Sequence, residues 1–147
     1  MSTVYQPKEM STTAKESGLA WTTLSVDDSG GTLRDIRNDI TNMQFATPRA
    51  VQDVTGIDKS AMERLLLVAD FSMTLNGVFN DATNLSHAVF RTVPSTSVLR
   101  TVSINVSANT LSCECLATDY ALTRSNSGEL TWTVPLVLAD GTTPLWA

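Results

Sequence analysis

Few side chains in this 147-residue sequence could carry covalent or proton chemistry, and their spacing decides what they can do. Cys113 and Cys115 are the only cysteines. On a strand, positions two apart share one face, so the pair reads as successive inward thiols rather than partners placed to bridge. Two ligands are also too few for a zinc site, and buried, reduced thiols are expected. His87 is the single histidine and stands beside Ala88 and Val89 in a helical pattern. With no nucleophile motif nearby it reads as a structural residue rather than a base. The closest acid pairs, Asp27 with Asp28 and Asp35 with Asp39, suit turn formation and helix solvation better than a carboxylate dyad. The sequence has no G-x-S-x-G, no glycine-rich phosphate loop, no H-x-x-x-H and no D-x-D-x-D-G calcium loop. Nothing in it selects an acid or base in a cleft, so the expectation is a protein that is not an enzyme and takes no metal or cofactor.

Composition narrows the class further. Ten Lys and Arg stand against 15 Asp and Glu, a net charge of −5, which argues against a surface built to neutralise DNA phosphates or to hold an anionic membrane. Any contact with nucleic acid is expected to be non-adhesive. Ser and Thr fill 36 positions, a bias that suits pleated, half-wetted sheets and disfavours an all-helical fold. With 42% hydrophobic residues, one domain of this length can bury roughly two-thirds of its unfolded surface. The first 14 residues lack the apolar stretch of a secretory signal, so synthesis in the cytosol is expected. The longest apolar run, Leu65 to Ala69, is far short of the roughly 20 residues of a membrane span. Asn84-Leu85-Ser86 and Asn105-Val106-Ser107 match the glycosylation pattern but read as ordinary polar positions without a secretory route.

Those residues must be positioned by elements that the patterning predicts. Residues 1–18 are polar and aperiodic and read as a mobile arm, 19–140 as the domain, and 141–147 as a tail whose Trp146 should dock on its own domain or a neighbour. Leu19 to Val26 has strand composition and ends in the turn residues 27–31. Leu33, Ile36 and Ile40 fall at helical intervals for one or two turns. Two short strands follow, Asn42 to Phe45 and Val51 to Thr55, with Pro48 between them. Ser60-Ala61-Met62-Glu63 has the form of a capping box, so a helix is expected from Asp58 to Leu67. Phe71, Met73 and Leu75 alternate with polar residues as a half-buried strand. Leu85, Ala88, Val89 and Thr92 space a second helix that ends before Pro94. Val102, Ile104 and Val106 form a hairpin with Leu111, Cys113, Cys115 and Ala117, which puts Ser112 and Glu114 on the wet side. The alternation from Leu130 to Leu138 makes a last strand, in which Pro135 marks an edge or bulge. The fold class is therefore mainly β: a β-sandwich or small barrel of about seven strands with one or two short flanking helices.

Several segments in consistent order resemble the tail tube, or major tail, proteins of long non-contractile-tailed bacteriophages, particularly those of actinobacterial phages. They are residues 35–40 leading into Met43-Gln44-Phe45, then Gln52 to Gly56, then Asp58 to Leu65 ahead of Phe71 to Phe79. Near the end they are Thr118-Asp119-Tyr120, Gly128 to Leu136 and Asp140 to Trp146. The resemblance implies a subunit of stacked hexameric rings that form a virion tail tube and conduct the genome into the host. Each subunit would lend strands to a continuous inner barrel. It also implies partners: further copies of the chain, tape measure and tail terminator proteins, and DNA only in passage, with no membrane. Candidates for the lumen are Asn42, Gln44, Asp53, Ser112 and Glu114. Candidates for ring-to-ring contacts are Thr47, Pro48 and Arg49 in the Ala46 to Ala50 loop, the N-terminal arm and Trp146. Two other classes stay open: a capsid decoration or head-completion protein, and a ligand-binding β-sandwich. Scattered aromatics disfavour the second of these.

Overall fold

A computed structural model describes residues 15–147, so the expectation for an N-terminal arm falls mostly outside the described residues. The chain is mainly β, with eleven strands among the described residues: β1 (Trp21–Asp27), β2 (Leu33–Asp35), β3 (Ile40–Ala46), β4 (Arg49–Asp53), β5 (Arg64–Ala69), β6 (Ser72–Val78), β7 (Arg100–Val106), β8 (Asn109–Ala117), β9 (Ala121–Arg124), β10 (Leu130–Leu138) and β11 (Leu145–Trp146). A single α-helix, α1 (Ser86–Phe90), joins β6 to β7. Nine strands form one antiparallel sheet in the order β2-β1-β7-β8-β10-β6-β3, with β11 added to β8 and β9 added to β10. The remaining two, β4 and β5, form a separate ribbon. No helix among the described residues is long and apolar enough to cross a membrane.

The long sheet curls on itself. Alternation sends Leu24, Val26, Val102, Ile104, Leu111 and Cys115 inward from one half and Met73, Leu75, Trp132, Val134 and Leu136 inward from the other, and all are buried. The two ends of the sheet therefore face each other across one core, where the Trp21 ring of β1 stands edge-on to Phe45 of β3 with centroids 5.8 Å apart. The sheet does not close, since no strand pairs β1 with β3. Two buried polar groups lock α1 over one end of it. The Arg100 guanidinium donates to the carbonyls of Asp27 (2.9 Å) and Val89 (2.7 Å) and to the Thr92 hydroxyl (3.1 Å). Burial lowers the pKa of Arg100, while the nearby Asp28 and Asp27 raise it. The Asp39 carboxylate accepts from Asn80 Nδ2 (2.7 Å) and from the free Ser86 amide at the start of α1 (3.0 Å), capping a helix whose own flanking residue, Leu85, cannot.

Pro135 sits in a central strand and yet breaks no ladder bond. One residue's N–H and C=O point to the same side of a strand, and the Pro135 carbonyl accepts from Thr118 N (3.1 Å). The missing N–H thus falls at the crossover where the chain leaves β8 for β9, between the two partners of β10.

Two expected elements differ. The helix expected over Asp58 to Leu67 is absent: residues 58–61 form a turn and bend, and Arg64–Ala69 is β5, paired with β4 through Val51 to Leu66, Gln52 to Leu65 and Asp53 to Arg64. The amide that a capping box would have used, Glu63 N, is taken by the Thr55 hydroxyl across the loop (2.8 Å). An unbroken apolar run such as Leu65 to Val68 fits either period, and the partner strand decided it. The helical spacing of Leu33, Ile36 and Ile40 likewise resolves into β2 and a 3-10 turn over Arg37–Asp39, with Ile36 fully buried. α1 itself lies inside the second expected helix, cut short of Thr92.

Gly77 fixes the closest approach in the core. A Cβ there would collide with the Asp39 carbonyl oxygen and the Trp132 ring, whose Nε1 donates to the Val78 carbonyl (2.9 Å). Gly77→Ala is expected to cost about 1–3 kcal/mol or more, read as a lowered urea midpoint at unchanged slope. An unchanged midpoint would mean that Trp132 can move aside.

Candidate assembly surface

Within the curled sheet, four strands in the order β9-β10-β6-β3 make a layer of their own. Opposed residues of antiparallel strands share a face, so the register reads out which side chains point away from the core. Asn42, Asn76, Thr133 and Ala121 form one outward row, Gln44, Thr74 and Pro135 a second, and Val78, Thr131 and Thr123 a third. Thr133 donates to Asn76 Oδ1 (2.8 Å), tying neighbouring strands on this face. Ala46, Ser72 and Val137 complete it, and none of these residues is charged. The surface is a sheet of hydroxyls, amides and methyls.

Both edges of this layer are open. No strand pairs with the outer edge of β3 or of β9 among the described residues, so two rows of backbone donors and acceptors face outward. The strands alternate in direction across the layer, because each neighbouring pair is antiparallel.

The β4–β5 ribbon extends the β3–β6 hairpin beyond a bend. At the bend Pro48 cannot donate to a ladder, and its carbonyl accepts from Asp70 N (3.0 Å). Past that point nothing is buried: Val51, Leu65, Leu66 and Val68 are exposed, Val68 to 87%, on both faces of the ribbon. A two-stranded ribbon with apolar side chains on both faces and no core beneath it is marginal in water.

The structure separates the five lumen candidates. Asn42 and Gln44 lie together on the uncharged layer. Asp53 lies at the far end of the ribbon, where its carboxylate accepts from the Thr55 hydroxyl (2.6 Å) and amide (2.9 Å); those bonds hold its pKa below the usual carboxylate range. Ser112 and Glu114 lie on the other half of the sheet, facing β7. There Glu114 accepts from the Thr101 hydroxyl and is half-buried, and Ser112 opposes Ser103 and Leu145. Among the ring-contact candidates, Thr47, Pro48 and Arg49 sit exposed at the bend, and Arg49 Nε donates to the Leu67 carbonyl (2.8 Å). Trp146 docks on its own domain through β11, its ring 6.1 Å from Phe45 and half exposed. Sequence reasoning missed Ser72, Thr74, Asn76, Thr131 and Thr133 as parts of this face. Each lay in a recognised strand, but only the register assembles them into one face.

The residues singled out for chemistry make internal contacts. Cys113 and Cys115 share the inner face with sulfurs 3.6 Å apart, and both are free. Hydrogen bonding to Cys113 and burial push the Cys115 thiol pKa up, while the same bond lowers that of Cys113. His87 Nδ1 lies 3.1 Å from the Tyr120 hydroxyl, and its ring packs 4.7 Å from Phe79. Among the described residues no three His, Cys, Asp or Glu side chains come together as metal ligands do.

The architecture is shared with known assemblies. A chain from the virion of a native gene transfer agent particle superposes with a TM-score of 0.72 at 16% identity, over 90% of this chain and 99% of that one. A chain from the tail of an empty gene transfer agent particle, a tail with C6 symmetry, superposes with a TM-score of 0.70 at 16% identity, over 90% of this chain and 98% of that one. This chain has their fold. No family model and no curated protein matches it by sequence.

The ribbon's isolation from the core has a direct consequence. Replacing Leu66 and Val68 by serine is expected to change unfolding free energy by no more than about 0.5 kcal/mol, measured in urea. A loss several times larger would show that the ribbon packs on the body of the domain.

Proposed function

We propose that this chain is a structural subunit of a virion tail tube, in which six copies join edge to edge into a ring and rings stack into a conduit for DNA. The observation that carries this reading is the four-stranded layer with two open edges and an uncharged outer face. A copy rotated about an axis along the strands brings its β9 edge to the β3 edge of its neighbour. With four alternating strands per copy, that junction is antiparallel like every other, so the ladder continues without a fault at each joint. Such contacts are head-to-tail and close only as a ring, which removes every exposed edge of the layer. The C6 symmetry of the gene transfer agent tail supports six as the number of copies.

In this reading the inner wall is the Asn42, Gln44, Thr74, Asn76, Thr131 and Thr133 face. Fixed cations there would displace counterions from the duplex and hold it in place. Hydroxyls and amides offer only water-exchangeable hydrogen bonds, so the duplex slides. Ser112 and Glu114, on the opposite layer, belong to the outer wall, and Asp53 to the ribbon tip. Ring stacking falls to the exposed apolar ribbon, to Thr47, Pro48 and Arg49 at its bend, and to the exposed half of Trp146. A tape measure protein inside the growing tube and a terminator at its end are the further partners this role requires. The role is mechanical, with no chemical step.

Negative-stain electron microscopy of the purified full chain tests the reading: rings or tubes with a central channel are expected. A monodisperse monomer at every concentration would overturn it. Virions carrying Thr74→Lys are expected to assemble normally and to deliver DNA more slowly, with the delay shrinking as salt rises. Unaltered delivery would take Thr74 off the inner wall.

A further inference from the structure

The curled sheet stops short of closing, and the gap has a shape. Between the start of β1 and the outer edge of β3 lies a cavity of about 380 Å³ lined by Trp21, Arg37, Ile40 and Met43. The β1 side of this seam is satisfied within the chain, since Arg37 Nη1 donates to the Trp21 carbonyl (3.0 Å) and Ile36 N to the Leu24 carbonyl (3.0 Å). On the β3 side no strand among the described residues pairs. Ile40 and Met43 point to the core side of β3, opposite Gly77 and Leu75, and their outer flanks form the apolar part of the seam.

The other open edge presents a fitting side chain. Leu122 of β9 opposes Trp132 of β10 and so points to the core side of the layer, yet it sits on the edge strand and stays 47% exposed. If β9 of one copy continues the sheet at β3 of the next, the side-chain parity of the ladder sends Leu122 to the core side of β3 as well, which is where the seam opens. Charge agrees with the antiparallel direction. Asp119 precedes β9 and Arg124 ends it, while Asp35 lies ahead of β3 and Arg49 follows it. Antiparallel docking therefore turns Arg124 toward the Asp35 end and Asp119 toward the Arg49 end. Arg37, the cation that lines the seam, already has its guanidinium on backbone carbonyls.

The geometry points to a joint in which Leu122 of one copy of this chain seats in the Trp21, Ile40 and Met43 seam of the next. This rests on the ring reading above and specifies what seals it. The copy in the seam completes the core that the curled sheet leaves open. Association through this joint thus buries apolar surface that the separate chain exposes.

Two variants test it. Leu122→Asp should leave the circular dichroism spectrum of the dispersed chain unchanged and its thermal midpoint little changed, because the residue is half exposed on an edge strand and stands outside the buried core cluster. It should also raise the concentration needed for rings by about tenfold or more, as expected for losing one buried leucine per joint. In the full-length double variant Leu122→Cys with Met43→Cys, oxidation of assembled material should give disulfide-linked ladders up to six chains on a non-reducing gel, and neither single variant should do so. Rings or tubes that form from the double variant without ladders, or from Leu122→Asp at the parent's concentration, would overturn the joint while leaving the ring reading standing. Failure of the unaltered chain to form rings would overturn both.

Discussion

Backbone groups at the edge of a β-sheet need partners, and a sheet that curls without closing leaves two rows of them unmet. In this chain the curl brings β1 and β3 close enough for Trp21 to touch Phe45, but not close enough to pair. Inside the gap the chain supplies what it can, through Arg37 and the Ile36 amide on the β1 side. Among the described residues the outer edges of β3 and β9 remain open. Everything distinctive about the molecule is arranged around them: the alternating four-stranded layer between them, the apolar seam beside one, and the exposed leucine on the other.

Burial is divided unequally in consequence. The core under α1 is dense and specific, with Gly77 leaving room for Trp132 and the buried Arg100 and Asp39 fixing the helix over it. The β4–β5 ribbon contributes nothing to that core and carries its apolar side chains into solvent. The proposed stacking of rings would give this ribbon the partner that the separate chain lacks. The charge pattern follows the same division. The net charge of −5 is carried by loops, turns, the ribbon and the other layer, and the outward face of β9-β10-β6-β3 holds none of it. For the conduit proposed here, a wall with no fixed charge to seize the duplex serves better than acidity of the chain as a whole.

Much of this was legible in the sequence. Strand composition located β1, and period-two alternation located β3, β6, β7, β8 and β10, because each of these sets a more buried face against a wetter one and so writes its parity into the chain. The strands that escaped all lack a buried face. β5 reads as an apolar helix segment, β9 as Ala-Leu-Thr-Arg without pattern, and β2 is only three residues long. Ser60 to Glu63 carried a true helix-start signal, overruled by the Thr55 hydroxyl holding Glu63 N across a turn. The wet face was legible strand by strand, yet the sequence could not say that Gln44 and Thr74 share one layer while Glu114 lies on another. That is a matter of register and curl, set by pairings between residues far apart along the chain.

Amide hydrogen exchange, compared between dispersed and assembled full-length chain, tests the central claim most directly. Edge-to-edge assembly requires that the outward-pointing amides within Asn42 to Phe45 of β3 and Ala121 to Arg124 of β9, those not already bonded to β6 or β10, pass from fast to slow exchange, while core amides of β7 and β10 stay slow in both states. If the two edges exchange as fast in the assembled state as in the dispersed one, the sheet is not continued from chain to chain, and the edge-to-edge ring is wrong.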